Sequence, residues 1–177
     1  MMTEALVIID VQRGMFGFPE MQPDDGTATV ARIKALLFQA RSKLTPVFFV
    51  QHEGETGHPL ESGTPGFAIH EALTPLVSEF VTIKRHCNSF QETGLENKLR
   101  AAGIQRVTVT GMQSDYCVDT FIRAAKERNF DIRLVADGHT TFDTPVMTAS
   151  QIITHHNHTL NGSFAEVVLA SDVHFGG

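Results

Sequence analysis

The stretch Ala5-Leu6-Val7-Ile8-Ile9-Asp10 decides the fold. Five apolar residues, most of them branched, run without a polar break and end on a carboxylate. A strand with one wet face alternates apolar and polar residues, whereas an unbroken run is the pattern of a strand buried on both faces, as in a parallel sheet. A loop rich in glycine and aromatic residues follows, from Gly14 to Gly26. From Thr27 the period becomes helical, with Val30, Ile33, Leu36, Leu37 and Ala40 on one face and Arg32, Lys34, Gln39 and Arg41 on the other. Pro46 ends the turn, and Val47 to Val50 reads as a second strand.

The alternation continues to the end of the chain. Strands are expected at 80–83, 106–110, 131–136 and 165–169. Helices are expected at 93–102, with Gly103 as its C-cap, at 114–128, and from Pro145 to about His158. Residues 52–66 hold four Gly and two Pro, a long connection of the kind that often carries function. No repeat, low-complexity tract or linker divides the sequence. The expectation is one doubly wound α/β domain over residues 1–177: a six-stranded parallel sheet in Rossmann-like order with helices on both faces.

Composition narrows the function. Of the 177 residues, 42% are apolar and 19% charged, which excludes disordered, collagen-like and coiled-coil classes. Fourteen Lys and Arg against twenty Asp and Glu leave a net charge of −6, with no basic stripe to meet a phosphate backbone, so no nucleic-acid partner is expected. Apolar runs are too short to span a bilayer, and Met1-Met2-Thr3-Glu4 does not open a signal peptide, so no membrane partner is expected either. Two cysteines make no disulfide framework, and the reading is a cytoplasmic protein.

In doubly wound folds ligands sit beyond the carboxyl ends of the strands, where the strand order reverses. The residues there are Asp10, Gln51 and His52, Lys84, Gly111 to Cys117, and Asp137 to Thr141. Cys117, in the first turn of the predicted helix at 114–128, would feel the positive end of the helix dipole, which favours a thiolate. Taken singly, each residue has an ordinary structural explanation: a buried apolar thiol, a solvated lysine, a turn-forming aspartate. Together they place a nucleophile, a general base and a cation at neighbouring strand ends, as nucleophilic catalysis requires.

Six segments are similar to those of the isochorismatase-like cysteine hydrolases. They are Leu6-Val7-Ile8-Ile9-Asp10-Val11-Gln12, Thr64-Pro65-Gly66-Phe67, Val81-Thr82-Ile83-Lys84, Val109-Thr110-Gly111-Met112-Gln113-Ser114-Asp115-Tyr116-Cys117-Val118, Ala136-Asp137-Gly138-His139-Thr140-Thr141 and His156-Asn157-His158-Thr159-Leu160. They keep the family's order over nearly the whole chain. The resemblance implies an Asp10–Lys84–Cys117 triad, a cis peptide at Met112-Gln113, an oxyanion hole of the Gln113 and Cys117 backbone N–H groups, and a homo-oligomer, a dimer or tetramer.

The implied activity is hydrolysis of a C–N bond in a small carboxamide through a thioester on Cys117. Two other readings stand beside it: isochorismatase-type hydrolysis of a vinyl ether without the cysteine, and a non-catalytic member of the fold. The metal-binding nicotinamidase branch carries Asp-x-His after its second strand. Here the place reads Gln51-His52-Glu53, so His52, Glu53 and His58 read as a solvated polar loop and no metal is expected. No other cofactor is expected, since the first strand is not followed by Gly-x-Gly-x-x-Gly. Gln12, Phe16, His52, Phe90 and Tyr116 are the expected substrate contacts, with Phe18 and Phe67 as further candidates for an apolar wall and His86 and His139 for polar contacts. Cys87, three residues past Lys84, reads first as a plain loop thiol, with a place in the pocket lining or a redox pair with Cys117 as the alternatives.

Overall fold

A computed structural model describes residues 3–176. Strands β1 (Glu4–Ile9), β2 (Val47–His52), β3 (Phe80–Lys84), β4 (Arg106–Met112), β5 (Asp131–Thr140) and β6 (Glu166–Val168) form one sheet in the order β3-β2-β1-β4-β5-β6. Every neighbouring pair is parallel. The helices are α1 (Gly26–Ser42), α2 (Leu95–Ala101), α3 (Asp119–Glu127) and α4 (Ala149–Leu160). None is long and apolar enough to cross a membrane.

The period of two along β1 splits the interior into two cores. Ala5, Val7 and Ile9 pack with Leu95 and Leu99 of α2 and with Phe121 and Ile122 of α3. Leu6 and Ile8 pack with Val30, Ile33 and Leu37 of α1 on the other face. That is why the run in β1 has no polar break. The strand order reverses between β1 and β4, and their register sets Ile9 beside Gly111. Gly111 has a φ of 125°, and a Cβ there would lie 2.0 Å from the Ile9 carbonyl oxygen. Only glycine lets the two strands close to this distance at the carboxyl edge, beside the site.

Three elements differ from the sequence reading. The helix expected at 114–128 is a π turn, Ser114–Val118, followed by α3. The helix expected from Pro145 starts at Ala149, because Thr148 accepts from the Gln151 N–H and the Gln151 side chain answers the Thr148 N–H, a capping box. The fifth strand runs on to Thr140. Its register jumps from Val109–Leu134 to Gly111–His139, so residues 135–138 bulge out before pairing resumes.

Candidate active site

The sheet brings Asp10, Lys84 and Cys117 together at its carboxyl edge. Asp10 follows β1 with a φ of 52°, its N–H bonded to the Val50 carbonyl. Lys84 is the last residue of β3, and the β2–β3 register sets it beside His52, the last residue of β2. Cys117 lies in the π turn that follows β4 across the switch point. The Met112-Gln113 peptide at the start of that turn is cis.

Lys84 is the hub. Its ammonium lies 2.6 Å from Asp10 Oδ2, 3.1 Å from Cys117 Sγ and 3.3 Å from His52 Nδ1. Three acceptors match the three N–H bonds of an ammonium, which satisfies a lysine side chain that is wholly buried. Burial works against its charge, but Asp10 and Cys117 outweigh burial and raise its pKa. His52 is pushed down to about 4, first by burial and then by the Lys84 charge, so its neutral ring accepts at Nδ1.

The two acids behave alike. Burial raises the Asp10 carboxyl above its ordinary value in spite of Lys84. Burial also pushes the Cys117 thiol up, the Asp10 carboxylate adds to this, and Lys84 opposes both without cancelling them. This reverses the expectation of a thiol lowered by a helix dipole: burial and the Asp10 carboxylate together outweigh the Lys84 ammonium at 3.1 Å. Asp10 and Cys117 compete for one proton beneath one ammonium. Asp10 Oδ1 is buried with no hydrogen-bond partner.

A cavity of about 420 Å³ opens on Asp10 and Cys117. Tyr116 and His52 line it, as do Gln113, Met15, Phe18, Met21, Leu60 and Phe142. The other three expected substrate contacts, Gln12, Phe16 and Phe90, do not line this cavity. Gln12 is buried and spends its amide on the backbone, donating to the His52 and Phe67 carbonyls and accepting from the His52 N–H. Phe16 packs in the α1 core, edge-on to His70. Phe90 stacks on Phe121 at 5.1 Å in the opposite core. Phe67 is also absent from the wall, although its backbone carbonyl receives Gln12 and Gln51. Cys87, a free and exposed thiol, does line the cavity. Glu53 is tied to Arg85 at 2.7 Å, and His58 Nδ1 accepts from the Leu60 N–H. Among the described residues no three His, Cys, Asp or Glu side chains stand close enough to share a metal.

His139 does not line the cavity and supports the turn through its hydrogen bonds. The Asn157 amide nitrogen donates to the Ala136 carbonyl, which turns Asn157 Oδ1 toward His139 Nε2 at 2.9 Å. Nε2 is therefore the donor, and Nδ1 accepts from the Ser114 hydroxyl at 2.7 Å. Burial pushes His139 down to about 4, which keeps the ring neutral. Ser114 opens the turn that carries Cys117, so this chain of bonds ties the backbone of that turn to β5 and α4. The signal was present in the quoted motifs at His139 and Asn157, but residues 18 apart on different elements reveal no contact.

Fold and site together define a doubly wound α/β protein with a buried Asp10–Lys84–Cys117 cluster at the carboxyl edge of its sheet. The isochorismatase domain matches residues 4–168. The uncharacterized isochorismatase family protein YddQ of Bacillus subtilis (strain 168) is 34% identical over 174 residues, covering 94% of this chain and 96% of that one. The ureidoacrylate amidohydrolase RutB of Methylorubrum extorquens is 33% identical over 78 residues, 44% of this chain and 32% of that protein. A crystal structure of an isochorismatase family protein superposes with a TM-score of 0.88 at 31% identity, covering 94% of this chain and 98% of that one. The chain belongs to the isochorismatase family and is one of its hydrolases.

Proposed function

We propose that this chain hydrolyses the C–N bond of a small carboxamide through a thioester on Cys117. The observation that carries the reading is the buried Lys84 ammonium, which holds Asp10 and Cys117 at 2.6 and 3.1 Å and leaves Asp10 Oδ1 unpartnered. A relative named as an amidohydrolase supports a C–N substrate.

In this mechanism Cys117 Sγ attacks the amide carbon as its proton passes to Asp10. Proton transfer within the pair avoids releasing the proton to bulk water, which the raised thiol pKa disfavours. The oxyanion takes hydrogen bonds from the Gln113 and Cys117 backbone N–H groups. Asp10 then protonates the nitrogen, the C–N bond breaks, and ammonia or an amine departs from a thioester. Water attacks the thioester while Asp10 takes its proton. The carboxylic acid leaves, and the proton returns to sulfur. Lys84 stays charged throughout, balancing the carboxylate and thiolate forms in turn. Phe18, Met15, Leu60 and Phe142 enclose the apolar part of the substrate.

The test is ammonia release from a panel of primary amides by the wild type and by Cys117→Ala. Turnover in the wild type that is abolished by Cys117→Ala supports the reading. Amide turnover that survives the substitution, or cleavage of a vinyl ether alone, overturns it.

A further inference from the structure

Two carboxylates in the cavity wall lack a counter-ion. Asp115 lies in the π turn, two residues before Cys117, and Asp143 lies between β5 and α4. Each is positioned by a neutral donor: the Thr141 hydroxyl donates to Asp115 Oδ1 at 2.6 Å, and the Ala149 N–H donates to Asp143 Oδ1 at 2.7 Å. Among the described residues neither forms an ion pair. The wall contains no arginine or lysine. Its third carboxylate, Asp10, is neutralised by Lys84 behind it. The same wall also presents Asp10 Oδ1, buried and without a partner.

We propose that Asp115 and Asp143 make this site selective for amides bearing a positive charge away from the scissile bond, an ammonium on an apolar chain, and make it reject amides bearing a carboxylate. The inference rests on the amidase reading above and names its substrate class. A cleft with two unpaired negative charges concentrates cations and repels anions. Such a cleft also opposes the negative charge that develops on the amide oxygen, and a cation brought by the substrate offsets that opposition. Met15, Phe18, Met21, Leu60 and Phe142 in the same wall suit the methylenes between the ammonium and the amide.

The experiment compares hexanamide, 6-aminohexanamide and the monoamide of hexanedioic acid, three amides of one chain length with neutral, cationic and anionic ends. At low salt, kcat/KM for the ammonium amide should exceed that for the carboxylate amide by at least about tenfold. The ratio should shrink as salt is added. It should also collapse in an Asp115→Asn/Asp143→Asn double variant, where each asparagine keeps the accepting oxygen for Thr141 or Ala149 and loses only the charge. An anionic amide used as well as the cationic one, or a ratio unchanged in the double variant, overturns the inference.

If none of the three is hydrolysed, the amidase reading is decided by the wider panel and the Cys117→Ala comparison above, and charge selection is judged by binding. Cys117→Ala protein titrated calorimetrically with the same amides should bind the ammonium amide more tightly than the carboxylate amide, and the double variant should lose that difference. Equal or reversed affinities, or no binding of the ammonium amide at millimolar concentration, overturn it.

Discussion

Replacing Asp10 by asparagine should move the two functions of Cys117 in opposite directions. Asp10 Oδ2 and Cys117 Sγ both contact Lys84 Nζ, at 2.6 and 3.1 Å, so carboxylate and sulfur lie within about 6 Å of each other. Two negative charges at that distance repel by roughly 3 kcal/mol at an effective dielectric near 20, which raises the thiol by about two pH units. Asp10→Asn removes this repulsion and leaves the Lys84 ammonium alone beside the sulfur. Alkylation of Cys117 by iodoacetamide at pH 7, followed by mass spectrometry in a Cys87→Ala background, should therefore accelerate by about 10- to 100-fold. Amide hydrolysis should fall by about 10²- to 10⁴-fold in the same variant, because nothing remains to carry the proton from sulfur to the departing nitrogen. Loss of both reactivities would refute the reasoning. It would mean that Asp10 generates the thiolate in the resting enzyme and does not suppress it.

Two further outcomes follow from the packing and the buried histidine. Gly111→Ala forces a Cβ to 2.0 Å from the Ile9 carbonyl oxygen at a φ of 125°, and urea unfolding should report a loss of about 3 kcal/mol or more, with unchanged stability counting against the required close approach. His139 titrates at about 4 in the folded chain and near 6.5 when unfolded, so unfolding takes up a proton between those values. Stability should be fully present above pH 6.5 and should fall by up to ~3 kcal/mol as the pH drops toward 4, a slope that His139→Gln should reduce in thermal melts across that range.

Much of this protein was legible from local chemistry. The unbroken apolar run of β1 required burial on both faces, and the strand–helix alternation then required a parallel sheet. Asp10, Lys84 and the turn at 111–117 were marked by where strands end, since those ends are the open side of any doubly wound sheet. Thr148 and Gln151 also carried the start of α4 in a capping box, even though Pro145 drew the boundary earlier. Helix type was less accessible. Nothing in Ser114 to Val118 distinguishes a π turn from the first turn of an α-helix, because the difference lies in how the turn leaves β4.

What the tertiary structure decided is which side chains spend their polarity on the protein and which remain for a ligand. Gln12, by sequence a polar contact beside the site, is consumed by the His52 and Phe67 backbone. Phe16 and Phe90 fall on opposite faces of the sheet, one in each core, since position relative to the sheet separates residues that look equivalent as aromatic flanks. Asp115 and Asp143 stand at the cavity without a cation, and Asp10 and Cys117 share one, because charges interact through space over a few ångströms and the sequence distance between them carries no information. Local pattern is set by neighbours along the chain and can be read from it. Charge balance, proton affinity and the shape of the cavity are set by neighbours that only folding supplies.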